Sequence, residues 1–212
     1  MKNIKLIIFD LDGTLVDAYA AIASSFNYVM CKFGLKTQNL GVVRRLVGWG
    51  DLNLLKPYVS KSDLNNALSL YRKHHQVSLL KYSRLYPGAK LLLRSLKKQG
   101  YKLAVASNRP SKFSRILLRH HQIDVFFDYI LCADQAKYGK PHPEILNRIV
   151  KKFSFKKSQA LYVGDMVIDA QAGRRAQINT IIVTSGSSSK LDIKQEKPFK
   201  IISAIMRLSD LL

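Results

Sequence analysis

From residue 103 onward, short apolar runs alternate with helical segments, and this alternation limits the fold more than any other feature of the chain. Leu103 to Ala106, Tyr129 to Ala133, Leu161 to Gly164 and Thr180 to Thr184 read as strands. Between them, Ser111 to His120, Pro143 to Phe153 and Ile168 to Ala176 read as helices. The strands are largely apolar rather than alternating, which is the pattern of a strand covered on both faces. Strands joined through helices of this length build βαβ units and therefore a parallel sheet. Residues 4–9 add a further buried strand that runs into a Gly-Thr turn. The turn Tyr86-Pro87-Gly88 opens a helix from Ala89 to Gln99 that Gly100 closes.

Residues 18–82 break the alternation. Ala20 to Phe33, Val42 to Val47 and Leu64 to Leu80 carry apolar residues at helical spacing, and no strand is evident among them. The expected architecture is an α/β, doubly wound parallel sheet formed by residues 1–17 and 83–212, with a small helical domain, 18–82, inserted after the first strand. Asp17 either marks the hinge into that insertion or caps the helix after it. Ser185 to Lys190 reads as a surface loop, followed by a short strand and helix.

Composition excludes several classes. With 47% hydrophobic residues the chain has enough apolar surface to fold, so disorder is ruled out. The first apolar run, Leu6 to Phe9, ends at Asp10, short of the roughly 7–15 residues of a signal-peptide core. No stretch approaches the roughly 18 apolar residues of a membrane span. Cys31 and Cys132 match no metal spacing, as in reduced chains. A soluble cytoplasmic protein is expected. The net charge of +21, from 35 Lys and Arg against 14 Asp and Glu, points to anionic partners, nucleic acid first.

In parallel α/β sheets the ligand crevice lies at the carboxyl ends of the strands. Those ends carry Asp10-Leu11-Asp12-Gly13-Thr14-Leu15-Val16-Asp17, Ser107-Asn108, Gly139-Lys140-Pro141-His142-Pro143, and Gly164-Asp165 with Asp169 one turn on. Such a set suits phosphoryl transfer. Carboxylates from separate strands hold a hard cation such as Mg²⁺, and a further carboxylate oxygen can attack phosphorus. A lysine and backbone amides neutralise the transferred group, and a second acid nearby can serve the leaving oxygen.

In order and over the whole chain, these four segments resemble the four motifs of the haloacid dehalogenase-like hydrolase superfamily. The helical insertion resembles the cap of its phosphoglycolate phosphatase-like members. The resemblance implies a Mg²⁺-dependent phosphatase working through an aspartyl-phosphate. It makes Asp10 the nucleophile and a metal ligand, and Asp12 the general acid/base with its carbonyl also on the metal. Thr14, Ser107 and the Asn108 amide would bind the phosphoryl group, and Lys140 would pair with both phosphate and Asp10. Asp165 would ligate the metal, with Asp169 orienting that ligand. An acid at position 12 favours phosphate esters over dehalogenation. Gln177 departs from the family's Ala-Gly after the last motif helix and puts that turn's geometry in question.

The cap segment Arg44-Arg45-Leu46-Val47-Gly48-Trp49-Gly50 offers Trp49 and Arg45 as substrate contacts, against cap packing for Trp49 and a solvated helix face for the arginines. His74-His75 and His120-His121 read as surface or packing residues, and Phe153 and Phe155 as packing against the sheet rather than as a base-stacking strip. The expected substrate is a small phosphorylated metabolite, 2-phosphoglycolate first, handled by a monomer or homodimer with no membrane and no specific nucleic-acid partner. A sugar-phosphate mutase, nucleotidase or pyrophosphatase shares these motifs. The rival of another class is a basic nucleic-acid-binding protein with a vestigial phosphatase shell. Because Lys and Arg are spread over the whole chain, the charge reads as a diffuse field around an acidic metal site, with weak polyanion binding as a side effect.

Overall fold

In the computed structural model, residues 3–212 are described. In chain order the elements are β1 (Leu6–Phe9), β2 (Val16–Asp17), α1 (Tyr19–Lys32), α2 (Leu40–Leu46), α3 (Asp51–Leu55), α4 (Leu64–Tyr82), β3 (Arg84–Leu85) and α5 (Ala89–Lys98). There follow β4 (Lys102–Ser107), α6 (Ser111–His120), β5 (Tyr129–Cys132), α7 (Glu144–Lys152), β6 (Ala160–Gly164), α8 (Val167–Ala176), β7 (Asn179–Val183), α9 (Lys190–Gln195) and β8 (Lys200–Ile202).

Six strands form one parallel sheet in the order β5-β4-β1-β6-β7-β8. β1 lies centrally, with Phe9 level with Val105 on one side and Val163 on the other. Its alternate residues feed two cores. Ile7 and Phe9 pack with Leu103, Val105, Leu161 and Val163, while Leu6 and Ile8 pack with Ala104, Ala106 and Tyr162. Burial on both faces explains the apolar runs seen in the sequence. Phe153 and Phe155 pack on the second core, as expected.

The doubly wound order reverses at β1, because the chain builds outward to β5 and then crosses to β6. The ends of β1, β4 and β6 therefore meet at a topological switch point, where such sheets open a crevice. The insertion leaves and returns through β2 and β3, an antiparallel two-strand ladder pairing Asp17 with Arg84. The Asp17 carboxylate accepts the Tyr19 N–H at 3.2 Å at the start of α1. Gln177 takes the left-handed conformation itself, at φ 60°, and ends α8 without a glycine.

Candidate active site

Asp10 follows the last residue of β1, and its N–H continues the ladder to the Val163 carbonyl at 2.9 Å. Lys140 reaches it from the loop after β5, with Nζ 2.8 Å from Asp10 Oδ1 and 2.7 Å from Asp169 Oδ1. Asp169 also accepts the Tyr162 hydroxyl at 2.6 Å, and its other oxygen takes the Asp165 and Met166 N–H groups at the start of α8. Gly164 makes this approach possible, because a Cβ there would collide with the Asp169 carboxylate. With both oxygens engaged, Asp169 is an anchor for Lys140 and for the Asp165 backbone.

Burial drives these groups away from ordinary ionisation. It pushes Asp10 up to about 7, against the pull of Lys140 and with help from Asp169. Burial acts to lower Lys140, but Asp10 and Asp169 hold it above the usual lysine range. Burial, then Asp169 and Asp10, raises Asp165 well above the carboxylate range. Asp165 is fully buried, accepts only hydroxyls, from Thr14 at 2.9 Å and Tyr19 at 3.4 Å, and has no cationic partner among the described residues.

A buried carboxylate without a cation is costly, and here it sits beside two others. Oxygens of Asp10, Asp165 and Asp169 lie within 4.8 Å of one another. An all-oxygen set of this size fits a hard divalent cation such as Mg²⁺. The Asp12 carbonyl accepts no hydrogen bond among the described residues, so it too is available. Asp169 fits better as the orienting residue, because its oxygens already accept four hydrogen bonds.

Between these strand ends and the helical insertion lies a cavity of about 60 Å³. Its polar wall includes Asp10, Asp12, Asp51, His75, Ser107, Asn108, Arg109 and Lys140, and its apolar one Val47, Leu54, Tyr71 and Phe113. The Asn108 side chain ties the rim together. It donates to the Gly48 and Lys140 carbonyls, both at 2.8 Å, and accepts the Lys140 N–H at 2.7 Å. Ser107 Oγ accepts the Arg109 N–H at 3.1 Å.

Three of the expected contact residues are not among those lining the cavity. Thr14 is buried and is not among the residues lining the cavity; its hydroxyl donates to Asp165 at 2.9 Å. Trp49 is 48% exposed and outside the cavity wall, because the positive-φ glycines on either side turn the backbone inward and leave the ring outside. Arg45 lies on the solvent face of α2, whose buried residue is Val43. Its neighbour Arg44 reaches the sheet layer instead, donating to the Ser185 and Gly186 carbonyls at 2.7 and 2.9 Å.

Two further residues are prominent: Arg109, which the sequence expectations left out, and His75, which they read as a surface or packing residue. Arg109 is buried and grips Asp12 through Nε at 2.8 Å and Nη2 at 2.6 Å. Its Nη1 lies 2.7 Å from His75 Nε2. A guanidinium only donates, so His75 Nε2 accepts, and His75 Nδ1 donates to Ser25 Oγ at 3.0 Å. Burial and Arg109 lower His75 to about 2, which keeps it neutral. Arg109 was within reach of the strand-end rule, since it directly follows Ser107-Asn108. No local signal marks His75.

Comparison with known proteins agrees with this geometry. The family model described as haloacid dehalogenase-like hydrolase matches residues 7–183. The chain belongs to this family. It is 29% identical to a phosphoglycolate phosphatase of Nitrosococcus oceani, over 100% of this chain and 98% of that one. To a phosphoglycolate phosphatase of Aliivibrio fischeri it is 31% identical, over 98% and 99%. Its structure matches a "predicted phosphoglycolate phosphatase from haemophilus somnus 129pt" with a TM-score of 0.94, 30% identity, and coverage of 100% and 99%. The chain is therefore a phosphatase of the haloacid dehalogenase-like family. Among the described residues, no helix is long and apolar enough to cross a membrane.

Proposed function

We propose that this phosphatase is Mg²⁺-dependent and hydrolyses a small phosphorylated metabolite, 2-phosphoglycolate first, through an aspartyl-phosphate on Asp10. The observation that carries the reading is the buried juncture of Asp10, Lys140, Asp165 and Asp169 at the switch point, opening into a small cavity. The phosphoglycolate phosphatases among the relatives support that substrate.

An Asp10 carboxylate oxygen attacks phosphorus, and the bond to the leaving oxygen breaks as Asp12 gives that oxygen a proton. Water then attacks the acyl phosphate while Asp12 takes its proton, freeing Asp10 and inorganic phosphate. Lys140 favours the ionised form of Asp10 and meets the phosphoryl oxygens. The cation would be held by Asp10, Asp165 and the Asp12 carbonyl, and supplies charge neutralisation for the transferred group. Residues 18–82 act as a cap domain over a core of residues 1–17 and 83–212, of which residues 1 and 2 lie outside the described ones. A reducing, cytoplasmic setting accords with free Cys31 and Cys132.

The test is phosphate release from a panel of small esters including 2-phosphoglycolate, with and without Mg²⁺. Wild-type protein should turn over in Mg²⁺ alone, and Asp10→Asn should be inactive on every ester. Undiminished turnover by Asp10→Asn overturns the nucleophile assignment.

A further inference from the structure

We infer that Arg109 is the specificity-determining residue, binding a second anionic group, a carboxylate, on the substrate body, with His75 positioning it. The inference rests on the phosphatase reading above and goes further in naming what distinguishes the substrate.

The guanidinium has five N–H donors. Asp12 takes one from Nε and one from Nη2, and His75 takes one from Nη1. One N–H on Nη1 and one on Nη2 remain without a partner among the described residues. A side chain only 6% exposed, lining the substrate cavity, with two donors unused, is poised for an incoming acceptor. A buried donor without a partner carries a desolvation cost that a ligand oxygen removes. Two unused donors on one planar head suit the oxygens of a carboxylate. Arg109 can take that carboxylate without releasing Asp12.

The positioning is built from both sides. From the insertion, the chain Arg109 to His75 to Ser25 ends on the Ala21 carbonyl, which accepts the Ser25 hydroxyl at 3.0 Å. From the sheet layer, the Asp12 carboxylate fixes the other edge of the fork. Neutral His75 can only accept at Nε2, so it orients the cation without competing for the anion. Apart from Lys140, Arg109 is the only cationic side chain lining the cavity among the described residues. The three Lys140 donors go to Asp10, Asp169 and Tyr162, whereas Arg109, though paired with Asp12, keeps two donors for the body of the substrate. Arg109 and Lys140 line the same cavity, so one small substrate can meet both.

The test pairs isosteres. Wild-type protein with Mg²⁺ should prefer 2-phosphoglycolate to ethyl phosphate by about 10- to 100-fold in kcat/KM, the range for one charged hydrogen-bonded contact. In Arg109→Gln that ratio should collapse toward one, and Arg109→Lys, which keeps a cation in place, should retain an intermediate ratio. Calorimetric titration of wild type and Arg109→Gln with 3-phosphonopropionate and propylphosphonate reads the same preference without turnover. Hydrolysis of esters with no preference in either assay overturns the role of Arg109 and leaves the phosphatase reading standing. Arg109-dependent preference for 3-phosphonopropionate, with no hydrolysis of any ester, supports the anion site and overturns the phosphatase reading instead.

Discussion

Replacing Lys140 with Met keeps the length of the side chain and removes its charge, and the consequence for stability depends on pH. The Lys140 side chain is 2% exposed and lies between Asp10, 9% exposed, and Asp169, 0% exposed. Breaking a buried pair from one side costs about 3–5 kcal/mol, and that is the loss expected near pH 6 in EDTA. Above neutrality it should grow. The Asp10 carboxyl, raised by burial to about 7, is protonated in the folded state and ionised in the unfolded state between its ordinary value and 7. Stability therefore falls with rising pH over that window in both proteins. In wild type the fall stops once Asp10 ionises beside Lys140. In Lys140→Met nothing offsets the charge, Asp10 stays protonated, and the fall continues at about 1.4 kcal/mol per pH unit. Urea unfolding followed by far-UV circular dichroism at pH 6, 7 and 8, with EDTA throughout, measures the difference. A destabilisation below about 1 kcal/mol, or one that does not grow between pH 7 and 8, refutes this account of the buried cluster.

His75 has the opposite sign to Asp10. Its folded value of about 2 lies below its ordinary 6.5, so its neutral form adds stability that is present above 6.5 and lost as pH falls. Against wild type, His75→Gln should flatten the slope of stability between pH 6.5 and 5 by about 1.4 kcal/mol per unit, and equal slopes in denaturant titrations would exclude this origin. Gln177 sits at φ 60°, where a side chain costs about 1–2 kcal/mol that glycine avoids. Allowing for the greater freedom of glycine in the unfolded chain and the loss of its contact with Lys157, Gln177→Gly should gain about 0.5–1 kcal/mol, or roughly 2 °C in Tm. A lower Tm would show that the exposed contact outweighs the backbone strain.

The sheet was legible because strands covered on both faces leave uninterrupted apolar runs, as at Leu161–Val163. The two-residue strands Val16–Asp17 and Arg84–Leu85 are too short to show any period. Helix Asp51–Leu55 was hidden for the same reason, and because the glycines at 48 and 50 read as a loop. In the site, Asp10, Lys140, Asp165 and Asp169 could be found by asking which polar residues end the strands. Thr14 shows the limit of that rule, which names the loop without saying which way a side chain turns. The Arg109–His75 contact was out of reach, since it joins residues 34 apart across the gap between insertion and sheet, and one histidine on a long helix looks the same facing a cavity or a core.

The charge looks different once individual arginines are followed. A surface that reads nucleic acid needs guanidinium forks free to meet phosphates or base edges. Here Arg44 is turned onto the Ser185 and Gly186 carbonyls, Arg72 onto Asp51, Arg174 onto Glu196, and Arg175 onto the Pro141 carbonyl. These four are held by neighbours within the fold, and lysines outnumber arginines 23 to 12, so much of the outward positive field comes from hydrated point charges. Such a field draws small anions in and binds polyanions weakly and in a salt-sensitive way. Selection falls to the only two bases buried among the described residues, Lys140 and Arg109, which face one small cavity from the strand ends. A net charge of +21 sets how often anions arrive, and the spacing of two cations decides which one fits.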